Sequence, residues 1–206
     1  MKAGDDDITG KKRIDSTAGT FKYRYAEGST CDTVVMIGVG TAMTIEDYEL
    51  LSSDITSSDP SIVTIITDHN SGTLVKLRWQ IYEEFYRNIM SSFTDIVPAC
   101  NGKTPKIIIG GHSASGRAIV EAMAYNETWS PKPDGFIGLN PFQMNEGVEI
   151  DASLPVLSWG FTTQTCRVSL DLSVLPQGIP WGVHYQLTDL QELSAPASRV
   201  KSRRQR

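Results

Sequence analysis

Apolar residues in this chain gather in short β-branched runs, and between those runs they recur at helical spacing. Residues 33–37, 62–66, 107–109, 135–139 and 156–159 are too short for helices and too continuously apolar for a half-exposed sheet, so they predict buried strands. A further strand is expected over 21–25. Thr44 followed by Asp47 makes a capping-box-like start to a helix that turns Ile45, Tyr48, Leu51 and Ile55 towards a core. Leu77, Ile81, Phe85, Ile89 and Phe93 describe a long amphipathic helix that Pro98 terminates. Ala118, Ile119, Ala122 and Met123 mark another, beginning near Ser113. Strand and helix alternate three times and two more strands follow. That order predicts an α/β fold, with a doubly wound, mostly parallel sheet covered by helices on both faces.

The two ends break this pattern. Residues 1–18 carry charge without apolar periodicity and predict a flexible N-terminal segment. Residues 190–206 are basic, poor in large apolar side chains, and predict a disordered tail. One domain over 19–189 lies between them, in a chain of 206 residues that is long enough to bury a substantial core. Near its end Val168, Leu170, Leu172 and Val174 alternate with period two, the pattern of a strand.

Chemistry enters at residues 106–118, Lys-Ile-Ile-Ile-Gly-Gly-His-Ser-Ala-Ser-Gly-Arg-Ala. A buried strand that breaks at glycines around a serine and continues as a helix is the sequence form of a nucleophile elbow. Such a turn strains the serine backbone and needs small neighbours, supplied by Gly111, Ala114, Ser115 and Gly116. It would lift the Ser113 hydroxyl clear of the sheet, beside the first N–H groups of the helix. Two plainer readings stand beside this one: a strand-turn-helix that merely packs closely, or one that holds a phosphate at its helix N-terminus. The second is the weaker, because the loop lacks the Gly-x-Gly-x-x-Gly and Walker A patterns.

At these residues the chain resembles the α/β-hydrolase superfamily, whose lipases and esterases commonly carry Gly-His-Ser-x-Gly. Here Ser115 stands where the family usually has glycine, and Gly116 follows one step late. The runs 135–142 and 154–160 look like the sixth and seventh strands of chlorophyllase-like and platelet-activating-factor-acetylhydrolase-like esterases, so the resemblance covers roughly residues 20–160. It implies a serine hydrolase that cleaves carboxylic esters through an acyl-enzyme on Ser113, without cofactor or metal. It also implies an oxyanion hole built from the N–H groups of Gly40, Thr41 and Ala114, the first two in the glycine loop 38–41; a tight strand-to-helix turn is the alternative for that loop.

The proton relay is less complete. A serine hydroxyl needs a histidine base and a carboxylate that fixes its tautomer, in the chain order Ser, acid, His. Of three histidines, His112 adjoins the serine and reads as support for the elbow, while His69 precedes it. His184 is the candidate base by elimination, although the stretch after Gly160 barely accommodates the crossover and strand that should precede it. The acid position of the resembling esterases holds Asn140, which leaves Asp171 as the candidate acid and Asp151 ahead of the seventh strand. A chain lacking the usual C-terminal part of the family would end in this way. Hydrolysis is therefore expected to be impaired, and the competing reading is a non-catalytic α/β-hydrolase-fold protein that binds a small apolar ligand or a partner.

Composition narrows the partners. A formal charge of −5 argues against nucleic acid, and no apolar run approaches a membrane span. The expected substrate is a small, apolar ester, and Trp129, Phe142, Trp159 and Phe161 near strand ends are candidates for its pocket. The start lacks the apolar core of a secretory signal, so the default expectation is cytoplasmic. Cys31, Cys100 and Cys166 are far apart, show no zinc spacing, and are expected to serve packing.

Overall fold

The structure, a computed structural model, describes residues 7–14, 19–41, 43–68, 86–91, 95, 97–125, 131–139, 156–161 and 183–187. Eight strands form one sheet in the order β1-β2-β4-β3-β5-β6-β7-β8. They are β1 (Asp7–Ile14), β2 (Gly19–Ala26), β3 (Thr33–Gly38), β4 (Ile62–Asp68), β5 (Lys106–His112), β6 (Gly135–Leu139), β7 (Val156–Phe161) and β8 (Val183–Leu187). β2 pairs antiparallel with both β1 and β4, and every pairing from β4 to β8 is parallel. The five strands expected from the apolar runs thus share one sheet, with β5 among its inner members.

Between them lie α1 (Glu49–Ser58), a helical stretch α2 at 86–91, and α3 (Ala114–Tyr125). The long helix expected over 77–93 is described only at α2; the rest of it lies outside the described residues, as do His69 and residues 168–174. Strand alternation assigns the two faces. Val35, Ile37 and Ile66 form one cluster with Ile45 and Tyr48, and Leu51 and Ile55 of α1 pack against it. On the opposite face, Gly111 of β5 lies against Gly116 and Ile119 of α3. α1 and α3 therefore cover opposite faces of a mostly parallel sheet.

α1 meets the sheet through small polar residues as well as through the expected apolar stripe. Ser52 and Thr56 are buried; the Ser52 and Thr64 hydroxyls are 2.5 Å apart, and Thr56 Oγ1 donates to the Ser52 carbonyl at 3.1 Å. Small side chains let this helix approach β4 closely, and each hydroxyl finds a partner, as burial requires. At the helix start Glu49 joins Lys22 and Arg24 of β2, with the Arg24 contact at 2.6 Å.

Two expectations are corrected. Part of the segment 1–18 is a strand: β1 pairs along its whole length with β2, from Asp7 opposite Ala26 to Ile14 opposite Gly19. An edge strand is held by main-chain hydrogen bonds and need not alternate apolar and polar residues, so its pattern did not announce it. Cys31 and Cys100, expected to serve packing, form a disulfide with 5.2 Å between their Cα atoms. Both are buried, just ahead of β3 and in the short 3-10 turn Pro98–Cys100. The bond closes a separation of 69 residues. Replacing both cysteines by serine is expected to lower stability by about 2–4 kcal/mol, because a loop of that length is costly to close in the unfolded chain. Urea unfolding of Cys31→Ser/Cys100→Ser, beside the wild type with and without reductant, measures the loss; an unshifted midpoint would contradict it.

Candidate active site

β3 and β5 are adjacent and parallel, paired from Thr33 opposite Lys106 to Gly38 opposite Gly111. Their outgoing connections part, β3 leading to β4 on one side and β5 to β6 on the other. A crevice outside the carboxyl ends of strands at such a switch point is where open α/β sheets hold ligands. Two segments meet there: residues 39–41 after β3, and His112 to Ser115 after β5. Continuing the register beyond Gly38 and Gly111 sets Gly40 level with Ser113.

Ser113 is the turn itself. Its φ is +51°, in the left-handed region that favours glycine, and it is one of two non-glycine residues so placed among those described. Its N–H donates to the Leu139 carbonyl at 3.1 Å, extending the β5–β6 ladder one step into the turn. Its carbonyl accepts the Arg117 N–H at 3.2 Å, starting α3. The strained backbone is thus fixed from both sides. Close packing forces the strain, since a Cβ on Gly111 would lie 2.5 Å from the Gly116 nitrogen. Strand and helix touch backbone to backbone, and the chain reverses within one residue.

Ser115 explains its departure from the Gly-His-Ser-x-Gly pattern. It is 1% exposed, and its hydroxyl donates to the Val39 carbonyl, joining the start of α3 to the loop after β3. Val39 N–H in turn donates to Thr67 of β4 at 3.0 Å. Ser115 is a tie between the two loops, whereas Ser113 is half-buried and stands at the turn.

The loop after β3 holds a second tie. Gly40 N–H donates to the Tyr48 hydroxyl at 2.9 Å, and that hydroxyl lies 2.7 Å from His112 Nδ1. Met43 Sδ is 3.2 Å from the same hydroxyl and 3.1 Å from Nδ1. A Cβ on Gly40 would lie 2.5 Å from Nδ1, so only glycine lets the loop lie against the imidazole. Burial pushes the Tyr48 phenol well above its usual range and holds His112 below its usual 6.5. A neutral imidazole fits this position: the Tyr48 oxygen accepts from Gly40, and its hydroxyl, His112 Nδ1 and Met43 Sδ lie within hydrogen-bonding distance of one another.

The expected site residues separate accordingly. Ser113 and Ala114 form the turn and the first helical residue, with the exposed Thr41 in the facing loop. Gly40 is present there, but its amide is given to Tyr48. His112 supports the elbow by holding the neighbouring loop through Tyr48. His184 stands in β8, opposite Ser158, rather than in the loop expected for a base. β6 and β7 lie between β5 and β8, so Ser113 and His184 are three strand spacings, about 14 Å, apart across the sheet, and the register sets His184 level with Gly111. Asp171, Asp151, Asn140, Trp129 and Phe142 lie outside the described residues, and Trp159 and Phe161 are strand positions of β7. Among the described residues no three His, Cys, Asp or Glu gather as a metal site, and no helix is long and apolar enough to cross a membrane.

Sequence reasoning missed Tyr48 as part of the site, assigning it to the core by its spacing alone. A signal was available: a buried tyrosine hydroxyl demands a partner, and a phenol on a core stripe points to a polar group nearby. In a scan against protein-family models none matches the chain, and a search of curated proteins finds no match either.

Two measurements follow from this geometry. Ser113→Gly is expected to be more stable than Ser113→Ala by about 1 kcal/mol, because only the alanine retains a Cβ at positive φ; equal thermal midpoints would place the serine in an unstrained turn. For His112, the unfolded chain binds the proton at higher pH than the folded chain. The contribution of its neutral form is complete above 6.5 and is lost as pH falls through that value towards the lower folded pKa. Urea unfolding at about pH 7.5 and about pH 5.5 should show a smaller drop for His112→Gln than for the wild type. Equal drops would assign the acid sensitivity elsewhere.

Proposed function

We propose that the chain is an α/β-hydrolase-like serine hydrolase whose nucleophile is Ser113, acting on a small apolar carboxylic ester. The observation that carries this reading is the left-handed backbone of Ser113, at the turn from an inner parallel strand into a helix. That is the form of a nucleophile elbow, and in hydrolases of this fold the oxyanion donors are the N–H after the nucleophile and one from the loop after the third strand. On this reading Ala114, the first residue of α3, would supply the first and the loop 39–41 the second. The mechanism would be attack by Ser113 Oγ on the ester carbonyl, loss of the alcohol to leave an acyl-enzyme, and hydrolysis of that ester by water.

Turnover is expected to be weak. The His184 backbone is about 14 Å from Ser113 across the sheet alone, and a serine without its base keeps only the oxyanion and binding contributions, about 10³–10⁴ over water. The same separation favours the second reading, a non-catalytic protein of this fold that uses the crevice for an apolar ligand or a partner. The Cys31–Cys100 disulfide supports residence in an oxidising compartment instead of the cytoplasm expected by default, since such bonds are rare where thiols are kept reduced.

A fluorophosphonate probe tests the nucleophile without a known substrate. Wild type and Ser115→Ala should be labelled, Ser113→Ala should not, and ester turnover should remain far below that of an intact triad enzyme. Labelling that persists in Ser113→Ala would overturn the assignment. Fast turnover destroyed by His184→Ala would show that the two residues meet after all.

A further inference from the structure

Tyr48 closes the 3-10 turn Ile45–Tyr48, which begins at the capping box of Thr44 and Asp47. It is 3% exposed, and its ring is tilted at 59° to that of His112 with centroids 6.1 Å apart. Its hydroxyl gathers groups from both segments at the carboxyl ends of β3 and β5: Gly40 N–H and Met43 Sδ from the loop after β3, and His112 Nδ1 from the end of β5. Gly40 is also buried, and its amide is directed to the phenol. The next residue, Thr41, is exposed.

We propose that Tyr48 is a positioning residue of the Ser113 site: by holding the Gly40 amide and the His112 ring on one hydroxyl, it sets the loop so that Thr41, not Gly40, supplies the loop's N–H to the oxyanion. This rests on the hydrolase reading, since the oxyanion has meaning only if Ser113 is attacked or attacks. Donor supply decides between the two amides. An amide already bonded to a buried phenol must break that bond before it can turn to a developing charge, which removes the benefit of preorganisation. The cost is avoided if the bonded amide orients its neighbour. The same hydroxyl fixes the imidazole beside the nucleophile, so the turn and the loop move as one body.

The test is the rate of Ser113 phosphonylation by a fluorophosphonate, resolved into its maximal rate and its half-saturating concentration. Tyr48→Phe keeps the ring and deletes the tie. Its maximal rate should fall about 10- to 100-fold with half-saturation changed less than about 2-fold, the pattern of lost transition-state alignment with binding retained. Tyr86→Phe is the control for general loosening: it deletes another buried phenol's hydrogen bond, to the Pro131 carbonyl at 2.7 Å, and should label at the wild-type rate. Thr41→Pro removes the amide from an exposed residue and should slow labelling at least as much as Tyr48→Phe. The nitrogen NMR shifts of His112 should show a tautomer balance in Tyr48→Phe that differs from the wild type.

A Tyr48→Phe rate equal to wild type overturns the positioning role, and a Thr41→Pro rate equal to wild type overturns the choice of Thr41. An unchanged His112 tautomer overturns the tie to the ring. Absence of labelling in the wild type overturns the hydrolase reading and the oxyanion role with it, while the NMR result still reads the Tyr48–His112 bond independently.

Discussion

The approach of β5 to α3 at Gly111 is the constraint from which the site follows. A Cβ there would meet the backbone of Ser115 and Gly116, so strand and helix pack at a separation that only glycine permits. With the helix so close, the chain has a single residue in which to turn, and Ser113 takes positive φ to do it. The left-handed conformation costs a non-glycine residue about 1 kcal/mol or more. The bonds from Leu139 and Arg117 hold the turn, and the start of α3 is then placed where Ser115 reaches Val39. Strain, close packing and the tie between loops are one arrangement.

A second device rigidifies the same end of the sheet from the other face. Tyr48, Gly40, His112 and Ser115 are polar groups at the carboxyl ends of β3 and β5, and each has a hydrogen-bond partner. A satisfied polar network inside a protein specifies one geometry more sharply than apolar contacts do, because every rearrangement leaves a donor or acceptor unpaired. At the opposite ends of these strands the Cys31–Cys100 bond joins the segments that lead into β3 and towards β5. The central strand pair is therefore fixed covalently at its base and by hydrogen bonds at its crevice, which keeps Gly40 and Ser113 level.

Much of this was legible before the structure. The β-branched runs announced the inner strands because strands buried on both faces are continuously apolar, and the Gly-His-Ser string announced the turn because few residue types tolerate it. What was hidden depends on partners far away in the chain. β1 is made by main-chain pairing with β2, which leaves no alternation to read. The disulfide unites cysteines 69 residues apart, and the Tyr48 hydroxyl meets a ring 64 residues later. Spacing along one helix assigns a face; it does not reveal what that face will touch. The meaning of Ser115 was hidden for the same reason, its partner Val39 lying on another strand's loop.

A serine at position 113 needs a reason. If the turn served packing alone, glycine would meet the positive φ without the Cβ penalty, as it does at Gly28 and Gly102. A serine gains no evident structural return there: the two contacts that hold the turn are made by its backbone. The hydroxyl that does structural duty belongs to Ser115, two residues on and buried. A strained backbone carrying a side chain that the fold does not need is the circumstance in which strain points to function. The distant backbone of His184 weighs against rapid turnover and leaves that inference intact. Presentation of a hydroxyl and its activation by a base are separate requirements, and the strained turn bears on the first alone.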